Sequence, residues 1–423
     1  MNGSEMQTEP VAPPVPEKAE KAEQAESADF VIGILSDLPP QSITQLCGAL
    51  RTIPGAPKIL ILAAQAVGDS VRNEVGGNSS SVSIASWPPL GADVAAGPLQ
   101  SISAAYHSAF SIGERLGARA CCVIASQVAI DPPRWVSEFA QPLLESQCDL
   151  VVPSYGHQKF QGLLNSGIMC PLTRSLYGKR IQNPLGPDLG VSQKLFQKIT
   201  ASNRASRNDA AITHPLISLT PAAACENLRI SQAYFGSRTY PPPDWTNTSS
   251  ILVQALGPVF LEMEKRAPCW QRVRGSVSIP AAGPRVAVSG DEATPDVARM
   301  IESFQLGVRD LQEIWGLVLP PATLLELRKL ARLEAQQFRM GDELWARIVY
   351  DFALAHRLRT INRDHLLRSM APLYLAWVAS YANEVKTAGS AAVDQRLERL
   401  CLAYETTKAY LVSRWRWPDR FNP

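Results

Sequence analysis

The chain has 423 residues, 46% apolar and 19% charged, with 41 Lys and Arg against 39 Asp and Glu for a formal charge of +2. That length can bury a substantial core and is long for one domain, so two packed units are expected. The balanced, evenly spread charge argues against nucleic acid as a partner, and no uncharged apolar run approaches the roughly 20 residues of a membrane span, which predicts a soluble protein with no transmembrane segment. Eight cysteines without a CxxC pair, behind a start that lacks a secretory signal pattern, predict reduced, mostly buried thiols in a cytoplasmic protein.

Residues 1–27 are rich in Pro, Glu, Lys and Ala and lack apolar residues at core spacing, so a disordered tail is expected there. From residue 28 to about 129, short apolar runs (30–35, 59–64, 82–86, 120–125) alternate with helical stretches (42–50, 101–116). Near-continuous apolar strands separated by helices predict an α/β fold with a mostly parallel, Rossmann-like sheet covered by helices on both faces. Ligands of such sheets sit beyond the carboxyl ends of the strands, which nominates Ser36-Asp37, the loop after Ala64, and Ser126-Gln127. A further strand is predicted over 149–154, a helix over 163–177, and a late strand over 228–235 that leads into Gly236-Ser237-Arg238-Thr239-Tyr240 and stops at Pro241-Pro242-Pro243.

Between these lies Asn183-Pro184-Leu185-Gly186-Pro187, followed by Asp188. Two prolines fix φ and donate no hydrogen bond, while Gly186 allows close backbone approach, so the loop suits a rigid pocket wall ahead of a short amphipathic helix. A Gly/Pro/Ser-rich linker over 275–290 separates the sheet unit, 28–274, from an all-α unit over 291–423. In the latter, Thr294-Pro295 reads as a helix start, Thr323 with Glu326 as a capping box, and Asp342 as a helix cap.

The run Pro171-Leu172-Thr173-Arg174-Ser175-Leu176-Tyr177-Gly178-Lys179-Arg180, with Gln182-Asn183-Pro184-Leu185-Gly186 after it, resembles bacterial nucleotide-diphospho-sugar transferases of the GT-A fold related to mannosylglycerate synthase and glucosyl-phosphoglycerate synthase. The resemblance covers about residue 29 to the C-terminus. It implies retaining transfer of a hexose from a nucleotide sugar to a small acid such as glycerate, with Leu185, Gly186 and Asp188 at the acceptor and Ser36, Ser126, Gln127, Arg238 and Tyr240 at the donor. Asp209 matches the family's acidic residue near the transferred sugar and is the catalytic candidate. A homo-oligomer is a further possibility.

Such enzymes hold Mg²⁺ or Mn²⁺ with an Asp-x-Asp motif after a strand and a later His, because hard oxygen ligands suit those cations. Here the corresponding places read Ala125-Ser126-Gln127 and Tyr240, and the family's Gly-Lys-Gly before the donor-side helix is replaced by Ser101-Ile102-Ser103. No metal ligand and no cofactor are therefore predicted, and Arg238 is the candidate substitute cation. Pro187 also stands where the family has a second glycine, removing a backbone N–H from the acceptor loop.

Structural readings stand beside these. Asp209 and Asp188 are each placed to cap a helix, Ser36 to satisfy a strand end, and Arg238 to lie solvated on the surface. The tryptophans of Arg414-Trp415-Arg416-Trp417 can pin the chain end to the body. Two functional classes remain: a hexosyltransferase, in a metal-independent form if Arg238 serves, or a non-catalytic binding or regulatory module on the same scaffold.

Overall fold

A computed structural model describes residues 26–36, 38–75, 81–88, 98–126, 130–156, 158–205, 214–238, 244–282 and 294–418. Strands β1 (Phe30–Ile34), β2 (Ile59–Ala63), β3 (Val82–Ser86) and β4 (Ala120–Ile124) alternate with helices α1 (Pro40–Leu50), α2 (Gln65–Val75) and α3 (Pro98–Leu116). They pair parallel in the order β3-β2-β1-β4. β1, β2 and β4 are buried along their whole length, as strands covered on both faces must be. Alternation divides them between two cores: Val31, Leu60, Cys121 and Val123 face one, while Phe30, Ile32, Ile61 and Ile124 face the other.

α4 (Pro132–Trp135) continues through a π-helical turn, Val136–Ala140, into α5 (Gln141–Leu144), and β5 (Leu150–Gly156) follows. After a second π turn, Asn165–Met169, come α6 (Cys170–Tyr177), β6 (Lys179–Arg180), β7 (Gly190–Ser192), α7 (Gln193–Ala205), α8 (Pro215–Cys225) and β8 (Ile230–Ser237). β7 is inserted antiparallel between β4 and β5, and β8 runs parallel to β5. The result is the expected mostly parallel sheet with helices on both faces.

Helices α9 (Thr248–Lys265) and α10 (Ala267–Trp270) precede two short strands. β9 (Val277–Ser278) pairs with β6, and β10 (Ala281–Ala282) adds an edge to β8. Both fall in the Gly/Pro/Ser-rich stretch after Gly275; residues 283–293 lie outside the described set. The C-terminal part is helical: α11 (Val297–Asp310), α12 (Gln312–Gly316), α13 (Pro321–Leu330), α14 (Asp342–Leu358), α15 (Arg363–Ser369), α16 (Ala371–Val385) and α17 (Ser390–Arg416).

These helices share one apolar core with a face of the sheet unit, running from Val31 to Trp415. Gly167 sits under the Trp377 ring, so close that a Cβ there would lie 2.4 Å from ring carbons, and its carbonyl accepts the Trp345 indole N–H at 2.9 Å. Arg174 of α6, almost fully buried, forms a bidentate pair with Glu398 and a further bond to Glu405, both on α17. Trp415 is buried edge-on against Trp270 and lies under the Arg357 guanidinium.

Several local expectations are corrected. Cys225 and Cys269 form a disulfide between α8 and α10, with Cα atoms 5.8 Å apart, so six cysteines rather than eight are free thiols. Asp296, not Thr294, caps α11, accepting from the Arg299 amide at 3.1 Å. Thr323 lies buried inside α13, and Glu326 pairs with Arg347 instead of closing a box. Asp342 is the first residue of α14, its carboxylate drawn to Arg396. The helix after the Pro/Gly loop starts only at Gln193, because Gly190–Ser192 are used by the sheet.

Candidate functional site at the carboxyl rim of the sheet

Parallel strands end together, and the carboxyl ends of β1, β4, β5 and β8 form one rim. At β1 the Leu35 and Ser36 amides donate to the Ile124 carbonyl at 2.8 and 3.2 Å, tying the ends of β1 and β4. The Ser36 hydroxyl oxygen is buried with no hydrogen-bond partner among the described residues. Trp87, just past β3, donates its indole N–H to the Ile34 carbonyl at 2.8 Å and lays its ring over Gly33. A Cβ at Gly33 would come within 2.4 Å of that ring, so glycine is what lets the indole cover the end of β1.

At β4 the chain turns through Ala125 and Ser126, whose amides donate to one carboxylate oxygen of Asp188 at 2.7 and 2.9 Å. Tyr155, at the end of β5, donates its hydroxyl to the other oxygen and lies 3.5 Å from the Ser126 hydroxyl. A register shift between Ser154 and Tyr155, opposite Gly236 with φ of 109°, places that phenol. Asp188 is fully buried and Tyr155 nearly so. Burial, and then the Asp188 charge, push the Tyr155 phenol well above its ordinary range, so it stays a hydrogen-bond donor. The Arg238 guanidinium sits 5.4 Å from the Tyr155 ring centre, and its amide donates to the Gly156 carbonyl at 3.0 Å.

The residues of loop 183–188 pack inward. Gly186 closes a turn onto the Asn183 carbonyl, and a Cβ on it would meet Pro153 at 2.4 Å; its freedom serves packing against β5. Thr220 donates to the Pro184 carbonyl at 3.0 Å, while the Tyr106 hydroxyl donates to the Pro187 carbonyl and accepts from the Leu189 amide, each at 2.7 Å. Leu185 is partly exposed and lines, with Leu172, Val259, Met263 and the Glu262 carboxylate, a cavity of about 20 Å³, room for a single water. Beside the loop, the Ser103 hydroxyl lies 3.1 Å from Nδ1 of His214, whose pKa is lowered by burial.

Of the residues singled out in the sequence, Ser36, Ser126, Asp188 and Arg238 are therefore brought to the rim, whereas Leu185 faces the small cavity between α6, α8 and α9 and Gly186 packs on Pro153 of β5. Gln127, Asp209 and Tyr240 lie outside the described residues. Tyr155, the penultimate residue of β5, and Trp87, just past β3, were missed, although both stand at a strand's carboxyl end, the rule that had nominated Ser36.

Mg²⁺ and Mn²⁺, the cations that the resemblance implies, need converging hard oxygen ligands. Among the described residues no three His, Cys, Asp or Glu side chains converge. The one carboxylate at the β4 turn, Asp188, has both oxygens engaged by groups of the chain itself. The described residues do not fit Mg²⁺ or Mn²⁺.

Fold and rim together define an open α/β protein with a mostly parallel sheet and a helical unit packed on one face. No protein-family profile and no curated protein sequence matches the chain. Among solved structures it is similar to glucosyl-3-phosphoglycerate synthase from Mycobacterium tuberculosis in complex with phosphoglyceric acid, at 12% identity and a TM-score of 0.35 over 57% of this chain and 82% of that one. The same enzyme with Mn²⁺, uridine diphosphate and glucosyl-3-phosphoglycerate aligns at 12% identity and 0.34 over 60% and 86%. A further similar structure is described as a mycobacterial protein, at 12% identity and 0.36 over 59% and 80%. No helix among the described residues is long and apolar enough to cross a membrane.

Proposed function

We propose that this chain is a non-catalytic relative of the GT-A nucleotide-sugar transferases, a binding or regulatory module in which the cation-dependent donor site has been converted into internal structure. The observation that carries this reading is the β4 turn, where Ala125-Ser126-Gln127 stand at the place the resemblance gives to the metal-binding carboxylates and the turn is held instead by Asp188. Its carboxylate is fully buried and holds the Ala125 and Ser126 amides, at the turn where the resemblance places the family's metal-binding carboxylates. A transferase of this class needs positive charge on the leaving diphosphate, and losing a divalent clamp removes several kcal/mol of transition-state stabilisation, on the order of 10³-fold in rate or more. Trp87 over the end of β1 and Tyr155 against Asp188 further support a rim occupied by the chain's own side chains.

Titration calorimetry with UDP-glucose and with phosphoglyceric acid, each with and without Mn²⁺, tests this. The expected result is no Mn²⁺-dependent heat and no sugar transfer. Metal-enhanced binding, or turnover that Asp209→Asn abolishes, would establish the hexosyltransferase instead. Arg238 on the Tyr155 ring favours one other reading, a metal-independent nucleotide site. That reading predicts UDP binding without Mn²⁺, lost in Arg238→Ala.

A further inference from the structure

The helical unit carries a concavity formed entirely by its own residues, so its reading does not depend on the function proposed for the sheet rim. One wall is α13 with the turn after it, through Glu326, Lys329, Leu330 and Leu333; the other is α17, through Arg399, Leu402, Ala403 and Thr406. Each set has the spacing i, i+3, i+4, i+7 of a single helix face. The start of α14 closes the groove between them, and its volume is about 750 Å³. Each wall runs about 10 Å, two helical turns at about 1.5 Å per residue.

Apolar and charged groups are both left uncovered there. Leu330 and Leu344 are buried, whereas Leu333 is 36% and Leu402 44% exposed. Two of the lining carboxylates are answered within the chain: Glu326 holds Arg347 through both oxygens at 2.8 and 3.0 Å, and Asp342 holds the buried Arg396 at 2.8 and 3.0 Å. Among the lining residues the exposed cations are then Lys329, Arg339 and Arg399, against one exposed carboxylate, Glu343. Arg339 and Arg399 lie 3.6 and 3.9 Å from Glu384, a carboxylate that Arg396 already engages at 2.8 Å. Positive charge is therefore left over at the mouth of the groove.

Two helix faces flanking an open groove present the ridges on which a third helix packs, at the ordinary interhelical distance of about 8–10 Å. An apolar occupant would leave the arginines unanswered, and a purely charged one would leave the leucines wet. We infer that this groove docks an acidic amphipathic helix of a partner protein. Its apolar side chains cover Leu333 and Leu402, and its carboxylates meet Lys329, Arg339 and Arg399. Burial of the leucines supplies affinity, while the excess of cations selects against a basic helix and steers an acidic one.

The full chain is titrated into a fluorescein-labelled peptide with leucine at i, i+3, i+4 and i+7 and glutamate elsewhere, and binding is read by anisotropy. The expected result is saturable binding, with the same peptide carrying lysine for glutamate about tenfold or more weaker. Arg339→Glu with Arg399→Glu in one chain reverses that preference, and Leu402→Glu removes binding of both peptides, while circular dichroism and the urea midpoint show that each variant is folded. A wild-type chain that binds neither peptide or both alike, or a charge-reversed chain that keeps the original preference, overturns the docking site. A wild-type dimer in sedimentation that Leu402→Glu dissociates overturns the partner helix in favour of a second copy of the chain. Peptide binding that appears only after residues 1–25 are deleted overturns it in favour of the chain's own Glu-rich N-terminal segment.

Discussion

Truncating Asp188 to Ala separates a strut from a ligand-binding carboxylate. The change removes the acceptor for two backbone amides, Ala125 and Ser126, and for the Tyr155 hydroxyl, at a position with no solvent exposure. Each orphaned buried donor costs about 1–3 kcal/mol. Some relaxation is certain, so the expected loss is about 3–5 kcal/mol, a large share of the roughly 5–15 kcal/mol that holds a folded domain together. Asp188→Asn keeps one carbonyl oxygen for both amides and lets Tyr155 turn its hydroxyl to accept, so about 1–2 kcal/mol is expected from the loss of charge assistance alone. Tyr155→Phe removes one charge-assisted bond, about 1.5–3 kcal/mol. Urea unfolding followed by tryptophan fluorescence measures all three. The Asp188→Asn/Tyr155→Phe double mutant should show a coupling of at least about 0.5 kcal/mol. If Asp188→Ala unfolds at the wild-type midpoint, or leaves stability intact while abolishing binding of a small acid, the strut assignment fails.

Two buried groups in the helical unit give opposite pH slopes. His356 has its pKa lowered to about 4 from 6.5, first by burial and then by Arg363. A depressed value means that its contribution is intact above pH 6.5 and is lost as pH falls toward 4. Asp351 is raised from 3.8 to about 7 by burial, which outweighs the pull of Arg414 and Tyr410. Its contribution is complete below pH 3.8 and is lost as pH rises through 7. Between these limits the two slopes oppose each other in the wild type. Asp351→Asn should therefore make stability fall on acidification, by about 3 kcal/mol, and His356→Leu should make it rise; parallel pH profiles for the two variants would refute the assignment. Gly167→Ala places a Cβ 2.4 Å from the Trp377 ring. An overpacking loss of about 1–3 kcal/mol is expected in the same urea assay, and an unchanged midpoint would mean that the ring is free to move away.

The strands that define the fold were legible because apolar runs such as Phe30–Ile34 and Ile59–Ala63 are buried on both faces, so pattern and burial coincide. β7 was not, since three residues, Gly190–Ser192, carry no periodicity and become a strand only when β4 and β5 offer both edges. The disulfide was equally hidden: Cys225 and Cys269 are 44 residues apart and meet only once α8 and α10 dock. At the rim, the strand-end rule found Ser36 and Ser126. The role of Asp188 depends on amides 62 and 63 residues away and a phenol 33 away, distances at which local spacing says nothing.

That separation bears on what the transferase-like motif means. Arg174 is the ion-pair anchor of α17, the Ser175 hydroxyl meets Tyr350 at 2.9 Å, and Gly178, with φ of 66°, ends α6 in the left-handed conformation. Asn183 receives the Asn165 amide at 3.1 Å, and Asp188 ties the loop to β4. Each described residue of the run Pro171 to Asp188 named here thus acts in docking the helical unit and the loop onto the sheet. A likeness carried by such residues reports an architecture, and it would be kept by an active and an inactive chain alike. Discrimination between them must come from groups that do not hold the fold together, and at the described rim Arg238 is the cationic side chain placed to show it. Arg238→Ala removes the cation over the Tyr155 ring, about 0.5–1 kcal/mol in urea unfolding, so a ligand effect of that substitution larger than this stability loss reports on binding rather than folding.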